Sequence, residues 1–153
     1  MLTEHFSELI KLLQASIAPV TVISGVGLLL LSMTNRYGRI IDRTRTLVKE
    51  VPHLKDPEEL MGVEEQIKIF LGRANILRTV IVLASGSIFF VSLTIFSLFI
   101  TGFFSINIEK VAIASFIFSL ALLMGSLGFF IQDIKISLKA LRLEARKYAE
   151  AAH

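Results

Sequence analysis

Thr21, Ser24, Leu28, Ser32 and Asn35 follow one another at three- and four-residue steps, and Arg39 and Asp42 continue the series. On a helix that spacing keeps them on one face. Hydroxyl and amide oxygens carry no full charge, yet they can replace part of the water shell of an ion. Several copies of such a face around an axis would give rings of hydroxyls, one apolar ring at Leu28 and an amide ring at Asn35. The same stripe has a plainer use, because small and hydroxyl residues, Thr21 and Gly25 at i and i+4 among them, let helices approach closely. The sequence admits both.

Just beyond the stripe stand Arg36, Arg39, Arg43 and Arg45, with Asp42 between them. Guanidinium groups at the edge of an apolar stretch hold it on one side of a membrane and meet lipid phosphates. A sharper arrangement pairs Asp42 with Arg39 or Arg45, within one chain or across a subunit boundary. These five residues are the expected inner mouth or head-group site. Glu4, Glu8 and Glu109 form the expected outer mouth, where their charge would concentrate cations. The basic inner mouth works against cations, so ion selectivity does not follow.

Catalytic constellations are missing. With no cysteine there is no disulfide framework, no thiolate nucleophile and no cysteine-ligated metal. His5, His53 and His153 have no companion at ligand spacing, which argues against a catalytic metal. Gly25-Val26-Gly27 lies inside an apolar stretch and lacks the Lys-Ser or Lys-Thr of a phosphate loop. No Ser, His and acid combination stands near a strand or elbow. No catalytic residue, metal or cofactor is expected, and the chain reads as a non-enzyme. Nucleic acid is also an unsuitable partner, since the basic residues flank apolar stretches and are mixed with acids.

The elements that must position these residues are set by hydropathy. Of 153 residues, 54% are hydrophobic and the mean hydropathy is +0.70, more apolar surface than one small soluble core can hide. Three charge-free stretches lie between Lys11 and Arg36, Arg78 and Glu109, and Lys110 and Asp133. A helix needs about 20 residues to cross a bilayer, and each stretch is long enough. The expected spans are about 15–35, 79–101 and 111–132 of one integral membrane domain covering 1–153. Fourteen of the sixteen Lys and Arg residues fall in 36–78 or after the third span. Positive charge is retained in the cytoplasm, so the amino terminus should lie outside and the carboxyl terminus inside. The first span lacks a preceding basic region and is followed by one, so it reads as an anchor and not a cleaved signal.

Outside the spans, residues 3–14 place Phe6, Leu9, Ile10 and Leu13 at helical spacing, as an amphipathic helix on the outer membrane surface would, with Pro19 allowing a bend. The alternative is a simple extension of the first span. Residues 36–51 and 57–77 carry apolar stripes separated by PHLKDP, which predicts a cytoplasmic helical hairpin over 36–78. Asp56 is its expected N-cap, with Pro57 in the first helical position. The tail, 133–153, continues the third span as a basic helix suited to anionic lipids at the cytoplasmic face or to the acids of the hairpin. In the third span Ala121 and Gly125, with Ser115, Ser119, Ser126 and Gly128, form an expected packing surface; the Phe-rich second span is expected to face lipid. The fold class is therefore an all-α membrane protein with three transmembrane helices, a cytoplasmic helical hairpin between spans one and two, and a helical carboxyl-terminal tail.

The opening Ala18-Pro19-Val20, the ISGVGLLL core and the pairs Asn35-Arg36 and Asp42-Arg43 with Arg45 resemble a bacterial membrane-protein family known only as domain of unknown function 2721. LGRANILR (71–78) and IQDIKISLKAL (131–141) add support, so the resemblance covers nearly the whole chain, with its specific part in 18–47. The family pattern favours Glu near Asp133, where this chain departs from it. The resemblance implies the same membrane architecture and brings no activity.

The functional expectation is a homo-oligomeric channel or pore of the bacterial inner (plasma) membrane, passing ions along an axis lined by span one. A non-conducting scaffold that recruits a partner through 36–78 is the competing expectation. A secondary transporter ranks behind both, since no span carries the ionisable residue that ion coupling uses.

Overall fold

The structure is a computed structural model describing residues 2–104 and 108–151, with side chains described for 10–11, 13–103 and 108–138. It contains three long helices: α1 (Leu2–Glu50), α2 (Pro57–Phe104) and α3 (Glu109–Ala151). Each is long and apolar enough to cross a membrane by length and composition. Only 17%, 28% and 22% of their most apolar stretches are buried within the chain. Apolar side chains left that open require lipid or other protein as their surroundings. The chain is a multi-pass membrane protein.

No separate hairpin is seen between the first two spans. α1 runs on through Arg36 to Glu50, and α2 begins at Pro57 and enters the second apolar stretch without interruption. Only a 3-10 turn, Val51–His53, and residues 54–56 lie between. The two expected arms are thus the ends of the spanning helices, the second running straight into its span. The physical reason is the absence of any breaker at the membrane edge, since the nearest, Gly38, is tolerated inside a helix. Chain reversal happens where the prolines stand. There the Glu58 N–H donates to Asp56 Oδ1 at 3.1 Å, which is the expected cap. At Pro19 the helix is not interrupted, since α1 is continuous from Leu2 and Pro19 is buried in it. This favours the extension of the first span over a separate surface helix; the side chains of Phe6 and Leu9 lie outside the described residues.

Burial follows a seven-residue rhythm. In α1 it falls on Pro19, Val26, Met33, Ile40 and Leu47, with Ser16 and Thr44 three residues before two of them. In α2 the series are Leu77, Ala84 and Val91, and Val80, Ser87 and Thr94; in α3 it is Ala112, Ser119, Ser126 and Asp133. A seven-residue spacing, close to two helical turns, keeps these residues on one face of each helix.

The chain divides into two compact units, one of Met1–Ser32 with Ile81–Ser126 and one of Met33–Val80 with Leu127–His153. The first has a seam of small and hydroxyl side chains. A Cβ placed on Gly86 would stand 3.3 Å from Leu122 Cδ1, and one on Gly125 would stand 3.7 Å from Leu83 Cδ1, so α2 and α3 meet closely here. The Thr94 hydroxyl bonds Phe90 O at 2.9 Å and reaches Ala112 O on α3 at 3.5 Å. Ser115, Ser119 and Ser126 of the expected packing surface are buried, whereas Ala121 and Gly128 are exposed. Of the phenylalanines, Phe89, Phe96 and Phe103 are exposed at seven-residue spacing, and Phe90 and Phe99 are half-buried. The second unit is built around Ile40, Leu47, Leu77, Val80 and a buried charge.

Candidate functional site

That charge is Asp133, with no exposure to solvent. Isolated burial of a carboxylate is costly unless it is paired and hydrogen-bonded. Here both oxygens are used. Arg36 Nη2 donates to Oδ2 at 3.2 Å, and Arg73 Nε donates to Oδ1 at 3.4 Å. Arg73 Nη2 also donates to Ser137 Oγ at 3.2 Å. The Arg36 guanidinium lies 5.3 Å from the Phe130 ring centroid, a cation–π distance. One carboxylate on α3 therefore holds an arginine from α1 and an arginine from α2, and within the second unit it pins three helices at one level.

Beside the network opens a cleft of about 290 Å³ lined by Arg36, Arg39, Ile40, Phe70, Arg73 and Ser137. Of the three guanidinium groups that line it, two share one carboxylate, which among the described residues leaves positive charge in excess. Arg36 and Arg73 side chains are 27% and 14% exposed, so they are held in place and still reach the cleft. Arg39 is exposed and meets no carboxylate among the described residues.

The other expected head-group residues behave as a solvated face. Asp42 approaches Arg45 at 3.9 Å with both side chains more than 70% exposed, a pairing worth about 0–1 kcal/mol. It does not lock the helix exit. Arg43 is exposed. The tight ion pair sequence reasoning looked for around Asp42 is made by Asp133, and Arg73 and Ser137 were not singled out at all. A signal existed. Asp133 continues Ala112, Ser119 and Ser126 at seven-residue steps, and Arg73 does the same with Val80, Ser87 and Thr94.

The expected pore-lining residues lie on the opposite face of α1. Thr21, Leu28 and Asn35 each follow a buried residue, Pro19, Val26 or Met33, by two positions, about 200° around the axis. All five, Thr21, Ser24, Leu28, Ser32 and Asn35, are exposed, Leu28 at 71%. Thr21 and Ser24 donate to Ile17 O and Val20 O of their own helix at 2.9 and 3.4 Å. Gly25 and Gly27 have nothing within 4 Å of an added Cβ, so among the described residues no helix packs there. At the expected outer mouth Glu109 is exposed at the start of α3, while the side chains of Glu4 and Glu8 lie outside the described residues. The tail is helical to Ala151, and the side chains of Lys139, Arg142, Arg146 and Lys147 are likewise outside them. Among the described residues no three His, Cys, Asp or Glu side chains come together.

A family model for a protein of unknown function, DUF2721, matches residues 16–143. No curated protein and no solved structure matches the chain.

Proposed function

The chain belongs to the DUF2721 family, whose description assigns no activity, and from its own geometry we propose a non-catalytic membrane protein that assembles with its own copies into an ion-conducting pore lined by span one. The supporting observation is the direction of the stripe. Thr21, Ser24, Leu28, Ser32 and Asn35 face away from the seam of their own chain and are open to whatever surrounds the monomer. Facing lipid, an amide such as Asn35 is unfavourable, by roughly 2–7 kcal/mol if fully desolvated without a partner. Facing an axis, it stays hydrated and its oxygen meets passing ions. The Thr21 and Ser24 hydroxyls donate to their own helix, which leaves their oxygens able to accept or to coordinate.

In this reading the amino terminus is outside, the loop and tail are in the cytoplasm of a bacterium, and the basic face of 36–78 rests on anionic lipid of the inner membrane. Flux through liposomes containing the purified, folded oligomer is the test. Leu28→Ala should widen the apolar ring and raise flux, and Asn35→Ala should change it. Silence of the wild type and of both variants would sink the pore.

A second reading has its own observation. Val48 and Met61, outside the apolar spans, are 52% and 72% exposed. Such side chains fit a scaffold that recruits a cytoplasmic protein. A partner captured by the wild type and lost with Met61→Glu, in a chain that passes no ions, would favour it.

A further inference from the structure

We propose that the cleft of Arg36, Arg39 and Arg73 is a specific binding site for one phosphate-ester anion per chain, with Asp133 as the residue that positions two of the three arginines. The inference needs the membrane placement and does not need conduction.

The cleft combines three properties that an arginine-rich membrane edge does not have by chance. Among the described residues its charge is in excess: Asp133 accepts from Arg36 and Arg73, and Arg39 meets no carboxylate. Among the described residues, Asp42, Arg43, Lys68 and Lys135 on these helices are exposed, and Asp42 stands by Arg45. Its donors are held in place: Arg36 by Asp133 and the Phe130 ring, Arg73 by Asp133 and Ser137. Fixed guanidinium forks lose less freedom on meeting a phosphate than mobile ones. Its walls are mixed, with Ile40 and Phe70 beside the arginines. A volume of about 290 Å³ is at the small end of ligand sites, the scale of a head group and not of a whole lipid.

A phosphate seated here would accept from the outward N–H groups of Arg36 and Arg73, from Arg39, and from the Ser137 hydroxyl. Arginine suits phosphate because its planar fork donates twice. The anion could be the head group of a phospholipid or a soluble phosphate ester, and the two sources separate by experiment.

The full-length protein, purified in neutral detergent, is titrated with short-chain phosphatidic acid, phosphatidylcholine, glycerol phosphate and inorganic phosphate, with bound mass read by native mass spectrometry. One phosphatidic acid should bind with preference over phosphatidylcholine. Arg39→Gln, which leaves the Asp133 contacts intact, should weaken it about tenfold, the scale of one charge-assisted bond. Arg45→Gln removes the same charge from the exposed face and should leave binding within about twofold. Binding of the lipid alone assigns the site to a membrane head group; equal binding of glycerol phosphate assigns it to a soluble ester. Equal losses in Arg39→Gln and Arg45→Gln, or phosphatidic acid and phosphatidylcholine binding alike, would overturn the specific site in favour of a diffuse basic surface. A pore that failed to conduct would leave every one of these outcomes readable.

Discussion

At the scale of single residues, stability turns on a few buried polar groups. Asp133→Asn leaves Arg36 and Arg73 without their counter-charge in a partly buried place, and removal of one member of such a network costs about 3–5 kcal/mol. Urea unfolding in mixed micelles should show that loss. The double variant Asp133→Asn with Arg73→Gln should lose less than the sum of the two single changes, because the second removes a charge the first has orphaned. Full additivity would mean that the three residues do not act as a network. Ser87 is the opposite case. Its Oγ is buried and has no hydrogen-bond partner, so Ser87→Ala removes an unsatisfied group and should be neutral or stabilise by up to about 1–2 kcal/mol. Thr94→Ala, which deletes a hydroxyl bonded to Phe90 O and near Ala112 O, should destabilise. A loss with Ser87→Ala equal to that with Thr94→Ala would contradict this contrast.

At the scale of elements, the three apolar helices were legible because hydrocarbon imposes a length and excludes charge, and both are written directly in the chain. The boundaries of the outer segments were less so. Two arms with apolar stripes look alike whether they form an independent hairpin or simply prolong the spans, and only the lack of a breaker near Gly38 distinguishes them. The Asp133 network is hidden for a related reason: charge beside a span carries topology whether or not it is buried. Only the sevenfold register of Asp133 with Ser126 and of Arg73 with Val80 marks these two as inward. The register also makes a prediction about α1. Gly25 has open space around it within the chain. In a helix facing lipid, Gly25→Ala should stabilise by about 0.5–1 kcal/mol through reduced backbone freedom. Where another copy approaches that face closely, the added methyl should instead separate the subunits. Thermal unfolding and light-scattering mass on the same variant read both effects. A stabilised variant with an unchanged oligomer would remove Gly25 from any interface.

At the scale of the whole molecule, the net charge of +3 says little, while its distribution says much. Lys11 and Lys110 are the only cations outside the two basic segments. Long-range retention of Lys and Arg in the cytoplasm acts on loops close to span ends, where these residues are concentrated. The absence of cysteine makes the consequence easy to measure, since any introduced thiol is the sole reactive one. Lys110 and Lys55 are both exposed, at the start of α3 and in the turn between α1 and α2. In intact cells a membrane-impermeant maleimide should label Lys110→Cys at once and label Lys55→Cys only after the membrane is opened. Each substitution removes one positive charge, so Lys110→Cys strengthens the existing bias and Lys55→Cys weakens it by one of many. Neither should invert the chain. Labelling of Lys55→Cys in intact cells would place the basic loop outside, and with it the arginine cleft would face the wrong leaflet for the anionic lipid of the cytoplasmic surface.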